Sequence, residues 1–208
     1  MKYLHLIILW TLWCSIHSAM ISLTVVKYLK NRFGEYYKYY RIFYNLVAVI
    51  TLIPLVLYSK TLNGSVLFVW EGYLIFIRII LAVVAAALFI SGSLKYDMLN
   101  LLGIRQIKSG KSPSILSEKE VVDETGILGV IRHPWYLGAI IFIWIACRTM
   151  YLSTLIVNII LTIYIIIGTI LEERKLIIEL GDSYRKYMSK VSMLFPYRWM
   201  MLIIFKSQ

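Results

Sequence analysis

Two groups of ionisable and hydrogen-bonding side chains stand at the ends of apolar segments in this sequence. Residues 131–138 read I-R-H-P-W-Y-L-G, and the adjacent acids Glu172 and Glu173 follow one long apolar stretch later. A charged side chain at the edge of a membrane-spanning segment is costly unless it has a partner or a function. We therefore expect the chemistry of this protein to depend on these two groups.

The first group predicts the beginning of a helix. Proline is favoured in the first helical turn and holds the residue before it extended, so we expect Pro134 to begin a helix and His133 to precede it. A helix N-terminus suits a carboxylate or another anion. Tyr136 and Gly138 continue the same site. The same residue types also suit an anchor at the membrane interface, and both interpretations stay open at this point.

The second group needs a positive partner. Adjacent carboxylates raise each other's cost of ionisation, so Glu172 and Glu173 together indicate a nearby cation. That cation could be an ammonium or sulfonium group of a ligand. Alternatively, the acids form salt bridges with Arg132, Arg174 or Lys175.

The composition indicates a polytopic membrane protein. The chain has 208 residues, of which 60% are hydrophobic and 16% charged, and its mean hydropathy is +0.76. A soluble domain is usually about 45–50% apolar. The net charge of +11 comes from basic residues beside hydrophobic segments, so we expect anionic lipid headgroups and not nucleic acid as partners.

A metal site is not expected. The two cysteines have no short-range partner, and the three histidines are widely separated along the chain. A zinc site would need several such ligands at close spacing.

The pattern of apolar runs predicts an all-α membrane protein with about five transmembrane helices. Positive charge follows the first run instead of preceding it, so we expect that run to be retained as a span with its N-terminus outside. The last part of the chain predicts an amphipathic helix on the cytosolic side, interrupted at Gly181. The five hydrophobic helices are expected in residues 4–26, 42–58, 73–91 and, as two short helices with a tight turn near Arg148, in 135–171.

We predict a single integral membrane domain over residues 1–208. Helices one to three occupy 1–92, a cytosolic loop occupies 93–132, and a catalytic hairpin with the C-terminal helix occupies 133–198. The loop contains an acidic patch, and a loop of this length is usually functional. The active site is therefore expected to face the cytosol.

The motifs R-H-P-x-Y-x-G, E-E-x-x-L, G-x-x-Y-x-x-Y and a terminal F-P occur in this order across residues 131–196. Together they resemble the C-terminal signature of the membrane methyltransferases that include isoprenylcysteine carboxyl methyltransferases and phospholipid methyltransferases. Those enzymes use S-adenosyl-L-methionine. The resemblance implies that Glu172 or Glu173 holds the ammonium group of this cofactor.

The resemblance also implies a set of cofactor-binding positions. The family often has a tyrosine two residues after the position of Gly126, where this chain has Leu128. The positions implied are Glu120, Val121, Val122, Asp123, Leu128, His133, Pro134, Trp135, Tyr136, Glu172 and Glu173.

Three segments outside this signature are similar to the methanethiol S-methyltransferases. They are residues 13–22 with a His-Ser pair, residues 40–45, and a G-x-R-Q element at 103–106. The resemblance implies catalytic roles for His17, His133 and Arg105. A histidine on an apolar helix is otherwise a hydrogen-bonded core residue, and that alternative stays open for His17.

We therefore predict an S-adenosyl-L-methionine-dependent methyltransferase that acts on a small or lipophilic acceptor. The acceptor that fits best is a thiol such as methanethiol. A thiol reacts as its thiolate, so His17 or His133 is expected to serve as the base. The pocket is expected between the first, third, fourth and fifth helices.

Three alternatives remain open. Carboxyl methylation of an isoprenylcysteine is disfavoured, because residues 165–169 lack the arginine that those enzymes place before the acids. A phospholipid amine is a further acceptor. A non-catalytic membrane assembly or transport factor is the alternative of another class.

Overall fold

The computed structural model describes residues 1–62, 64–109 and 123–206. Among these residues the structure is mainly helical, with one short pair of strands. The helices are α1 (Lys2–Ile21), α2 (Leu23–Phe33), α3 (Tyr40–Thr61), α4 (Leu74–Ser93), α5 (Met98–Leu102), α6 (Ile104–Ser109), α7 (Pro134–Ile145), α8 (Leu152–Lys190) and α9 (Tyr197–Lys206), with 3-10 helices at Gly34–Tyr39 and Gly126–Gly129 and strands β1 (Val66–Val69) and β2 (Thr149–Tyr151).

Within the described part of the chain, four helical segments are long and apolar enough to cross a membrane: Lys2–Ile21, Leu23–Thr61, Leu74–Ser93 and Leu152–Lys190. The predicted all-helical class is confirmed, and these segments indicate an integral membrane protein. Helix α7 has only 12 residues, which is about 18 Å of helix against a hydrocarbon core of about 30 Å. The predicted fifth span and the cytosolic position of the C-terminal helix stay predictions.

The chain divides into two compact units. The first unit comprises Met1–Val69, Tyr96–Ser117 and Arg148–Tyr164, and the second comprises Trp70–Lys95, Glu118–Cys147 and Ile165–Gln208. Each predicted site residue within the described ranges therefore belongs to one unit or the other.

In the first unit, α1 and α3 pack antiparallel. The indole of Trp10 donates to the hydroxyl of Ser59 at 2.9 Å, and that of Trp13 donates to Thr51 at 3.0 Å. Since the partner number falls as the α1 number rises, the two helices run in opposite directions. Their buried side chains Leu6, Trp10 and Leu55 form one apolar cluster with Val157 of α8.

The same unit contains the antiparallel pair of β1 and β2, with Val69 opposite Thr149 and Phe68 opposite Met150. A tight turn was predicted near Arg148, whereas Thr149–Tyr151 forms a strand that pairs with Val66–Val69. Strands of 4 and 3 residues are too short to show a recognisable alternation of side chains. Their pairing is a contact between distant segments.

In the second unit, α4 packs against α7. An added Cβ on Gly138 would lie 3.4 Å from the Leu88 side chain, so the glycine allows close approach of the two helices. The indole of Trp135 donates to the Phe89 carbonyl at 3.0 Å. At the other end of α7, the Arg78 guanidinium donates to the Ile145 carbonyl at 2.9 Å. Arg78 thus satisfies a carbonyl at the helix end that has no partner within the helix.

Helix α8 joins two predicted elements. The last hydrophobic helix and the amphipathic segment form one element of 39 residues, with a non-helical residue at Gly181 (φ 56°, ψ −132°). Such a positive φ is accessible to glycine at little cost, and the interruption stands where the sequence predicts it. After α8 the chain returns to the start of α7, where the His133 amide donates to the Met193 carbonyl at 3.1 Å.

Replacing Gly92 by alanine should destabilise the second unit, because the added Cβ would overlap the indole ring of Trp135. Overpacking of this kind typically costs about 1–3 kcal/mol. The variant should show a lower apparent melting temperature in neutral detergent.

Gly168→Ala is the matched control, since its added Cβ would meet no side chain or neighbouring segment within 4 Å among the described residues. It should leave the melting temperature unchanged or raise it, because alanine is the better helix former. Equal melting temperatures for Gly92→Ala and the parent would contradict the close contact of Gly92 with Trp135.

Candidate functional site

A buried ion pair connects the start of α7 to α8. Arg132 is 8% exposed and Glu173 is 7% exposed. The guanidinium donates to Oε1 of Glu173 through Nε at 2.7 Å and through Nη2 at 2.7 Å. Its Nη1 donates to the main-chain oxygens of Met188 and Val191. Arg132 therefore holds an acidic side chain and the C-terminal end of α8 at once.

His133 joins the same pair. Its Nε2 lies 3.2 Å from Oε1 of Glu173, and its ring stacks on Tyr136 with 5.5 Å between ring centroids. A carboxylate can only accept, so the histidine proton is assigned to Nε2, and Nδ1 is the nitrogen that can accept a proton. The side chain is buried at 3% exposure, which fixes its orientation.

Glu172 has a different environment from its neighbour. It is half-buried, and its Oε2 accepts a hydrogen bond from the Tyr136 hydroxyl. Within residues 123–206, no lysine, arginine or histidine forms an ion pair with Glu172. The two acids predicted to share a cation thus have different partners: Glu173 pairs with Arg132, and Glu172 accepts only the described hydrogen bond from Tyr136.

Two tyrosines of the G-x-x-Y-x-x-Y motif are buried on α8, the helix that carries Glu173. Tyr184 and Tyr187 are each 3% exposed, and the Tyr187 hydroxyl donates to the Leu128 carbonyl at 2.6 Å. The Leu128 side chain is itself buried. The structure therefore brings Leu128 to α8 through its backbone, whereas its role toward a cofactor stays a prediction.

Arg132 was predicted as one of three possible salt-bridge partners of the adjacent acids, and its pair with Glu173 is present. Tyr187 was not predicted as a site residue, and the signal for it was the tyrosine repeat after Gly181. Neither that prediction nor this signal reveals that the side chains bind main-chain carbonyls of distant segments.

Asp123 anchors the segment that precedes the 3-10 helix Gly126–Gly129. Its carboxylate accepts from the Thr125 amide at 2.9 Å and from the Lys95 ammonium at 3.0 Å. The hydrogen bonds from Thr125, with that from Lys95, lower the pKa of Asp123 to about 2. Its partners are thus the neighbouring Thr125 and the distant Lys95. The predicted cofactor contacts Glu120, Val121 and Val122 lie outside the described residues.

His17 belongs to the first unit, in an aromatic cluster. Its ring stacks on Trp13 with 4.9 Å between centroids, and Tyr164 approaches edge-on at 6.2 Å. Its Nε2 forms a hydrogen bond with the Tyr44 hydroxyl. The histidine thus has a polar partner inside the unit, and its catalytic role stays a prediction.

Arg105 also belongs to the first unit. Its Nη1 lies 2.5 Å from Oδ2 of Asp97, and Asp97 caps α5 by accepting from the Asn100 amide at 3.0 Å. The G-x-R-Q element is therefore ordered around a local ion pair. Its catalytic role likewise stays a prediction.

The fold and this cluster define a helical membrane protein with a buried polar site at the junction of a short helix and a long one. The chain belongs to the NnrU family, whose model, described as NnrU protein, matches residues 5–204.

Several curated relatives carry the name methanethiol S-methyltransferase. Methanethiol S-methyltransferase 1 of Bradyrhizobium diazoefficiens is 48% identical over 68 residues, which is 33% of this chain and 24% of the relative. The protein of that name from Pseudomonas sp. (strain GM41(2012)) is 36% identical over 98 residues, 47% of this chain and 37% of the relative. The one from Mycobacterium tuberculosis is 42% identical over 67 residues, 32% of this chain and 27% of the relative.

The aligned part of this chain thus spans about a quarter to somewhat over a third of these relatives. The resemblance to membrane methyltransferases that the motifs indicated is confirmed. No solved structure matches the chain.

The two adjacent acids should differ in their effect on stability. Glu173→Ala leaves the Arg132 charge buried without a partner, which should lower the free energy of unfolding by about 3–5 kcal/mol. Glu172→Ala removes one hydrogen bond from Tyr136 and should cost about 1 kcal/mol. Denaturant titration in detergent, followed by tryptophan fluorescence, measures both.

Glu173→Gln provides a milder comparison, because it keeps the shape and one accepting oxygen but removes the charge. It should fall between the two alanine variants. Equal destabilisation by Glu172→Ala and Glu173→Ala would show that the Arg132–Glu173 pair does not have the structural importance assigned to it.

Proposed function

We propose that this protein is an S-adenosyl-L-methionine-dependent methyltransferase of the membrane that methylates a small or lipophilic thiol such as methanethiol. The names of the curated relatives support the reaction. The observation that carries the proposal is the half-buried Glu172 carboxylate, which has a hydrogen bond from Tyr136 but no ion pair with any described residue.

Glu172 is the better of the two acids to hold the cofactor's ammonium. The carboxylate of Glu173 already accepts from Arg132 and His133. Binding a second cation there would place it beside the Arg132 guanidinium, and like charges repel. Glu172 has its charge available, and the Tyr136 hydroxyl holds its Oε2 in a fixed direction.

The amino-acid group of the cofactor also carries a carboxylate, and the start of α7 offers a positive partner for it. Pro134 begins this helix and His133 precedes it, so the positive end of the helix dipole lies close to Tyr136 and its partner Glu172. A zwitterion with one cationic and one anionic group therefore meets a carboxylate and a helix N-terminus. The residues present thus fit the group that the proposal requires.

When bound, the cofactor would supply a methyl group on a positively charged sulfur. The protein has to orient this group, bring the acceptor into line and exclude water. The ion pair of Arg132 and Glu173 keeps the start of α7 rigid for that purpose. His133 can accept a proton at Nδ1, because Nε2 is held by Glu173, and this makes it the candidate for the base.

The names of the curated relatives favour a thiol over the other acceptors. A carboxylate acceptor would need a cationic side chain, and residues 165–169 provide none. An amine of a phospholipid headgroup is the remaining alternative acceptor. An experiment with several acceptors distinguishes it from a thiol.

Glu172→Gln should weaken binding of S-adenosylhomocysteine by about 10-fold to 100-fold, because a hydrogen bond to a charged group contributes about 1.5–3 kcal/mol. Isothermal titration of the purified protein measures this directly. The product is a suitable probe, since it retains the amino-acid group of the cofactor.

Glu179→Gln is the matched control. Glu179 lies in the same helix, and its ion pair with Lys175 is long at 3.7 Å, so its removal should leave binding unchanged. Equal affinity of the parent and Glu172→Gln would exclude Glu172 as the ammonium site. Absence of binding to the folded parent would favour a non-catalytic protein.

Incubation with a methyl-labelled cofactor and a panel of acceptors should label methanethiol in preference to a prenylcysteine analogue or phosphatidylethanolamine. The physical reason is that the carboxylate of a prenylcysteine analogue would need a cationic side chain to hold it, whereas a thiol acceptor needs none. Mass spectrometry of the products measures the transfer, with heat-denatured protein as the background control. Preferential labelling of either other acceptor would contradict the proposed substrate class.

A further inference from the structure

The connection between α1 and α3 lies at one end of an antiparallel pair of apolar helices. Near this end the Tyr40 hydroxyl donates to the Met20 carbonyl at 2.7 Å, which joins the start of α3 to the end of α1. Helix α1 alone has 20 residues and α3 has 22, each enough to cross the hydrocarbon core at about 1.5 Å per residue. The segment between them is therefore placed at a membrane surface.

This connecting segment, residues 22–39, is basic and aromatic. With Arg41 it carries five basic residues against one acidic residue, Glu35. Its large exposed aromatic side chains include Tyr28 (66% exposed) and Tyr36 (76% exposed). Amphipathic aromatic rings and cations together are typical of segments that lie in the headgroup region of a bilayer. The basic residues are Lys27, Lys30, Arg32, Lys38 and Arg41.

One open face of α2, the α2 face, lies within this segment. It consists of Leu23, Thr24, Lys27, Tyr28 and Asn31, all of which are exposed. The α2 face combines an ammonium, a hydroxyl, a phenol and an amide with one apolar side chain.

The Lys27 ammonium makes no ion pair with any carboxylate that the structure describes. A phosphate would therefore find an available positive charge, with the hydrogen-bonding groups of Thr24 and Asn31 beside it. Leu23 is 55% exposed, so the same face also presents an apolar side chain. A ligand with both an anionic headgroup and acyl chains matches this combination better than a free anion does.

We propose that the α2 face binds the phosphate headgroup of an anionic phospholipid, with Lys27 as its principal charge partner. The site lies in the first unit and does not involve Glu172, Glu173 or His133. It would fix the α1–α3 connection at the surface of the bilayer and make the protein sensitive to the anionic lipid content. This inference is independent of the proposed methyl transfer.

Native mass spectrometry of the protein in neutral detergent tests the proposal. The parent should retain phosphatidylglycerol in preference to phosphatidylcholine with the same acyl chains. Lys27→Gln should weaken retention about fivefold, because a lysine near an anionic surface contributes about 1 kcal/mol. Lys60→Gln is the matched control, since it removes the same charge at the end of α3, the opposite end of the α1–α3 pair.

Retention of phosphatidylglycerol that is equal in the parent and Lys27→Gln, or equal loss in Lys60→Gln, would overturn the proposal. So would equal retention of the two lipids by the parent. Inorganic phosphate forms a separate arm: if it displaces the lipid at millimolar concentration, the site is one for free phosphate and the lipid assignment is wrong. Failure to displace supports the lipid.

Discussion

The buried pair of Arg132 and Glu173 is the interaction on which the polar site depends. Removing two charges from water costs several kcal/mol per ion, so such a pair persists only with good geometry and further hydrogen bonds. Here the guanidinium also binds two main-chain carbonyls near the end of α8, and His133 reaches the same carboxylate oxygen. One side chain thus connects α7, α8 and the segment that follows α8.

This pair also separates the roles of two neighbouring acids. Consecutive residues of an α-helix point about 100° apart, so Glu173 can face Arg132 while Glu172 faces the Tyr136 hydroxyl. The buried acid then has a structural role, and the half-buried acid has no ion pair with the residues that the structure describes. The proposed binding of the methyl donor follows from this division, because an ammonium needs a negative partner that the protein has not already neutralised.

The sequence predicts those features that depend on local chemistry. The apolar runs, the helix start at Pro134 and the break at Gly181 follow from hydropathy, proline geometry and glycine conformation. The joining of β1 to β2, the choice of Glu173 over Glu172 as the partner of Arg132, and the pairing of His17 with Tyr44 could not be predicted. Each is a contact between segments far apart in the chain, and no local pattern specifies which partner is chosen.

An experimental structure of the protein with bound S-adenosylhomocysteine would test the central claim most directly. The account predicts that the amino group of the ligand lies within hydrogen-bond distance of the Glu172 carboxylate, while Arg132 remains paired with Glu173. A ligand bound away from α7 and α8, or an amino group held by Glu173 with Arg132 displaced, would contradict it.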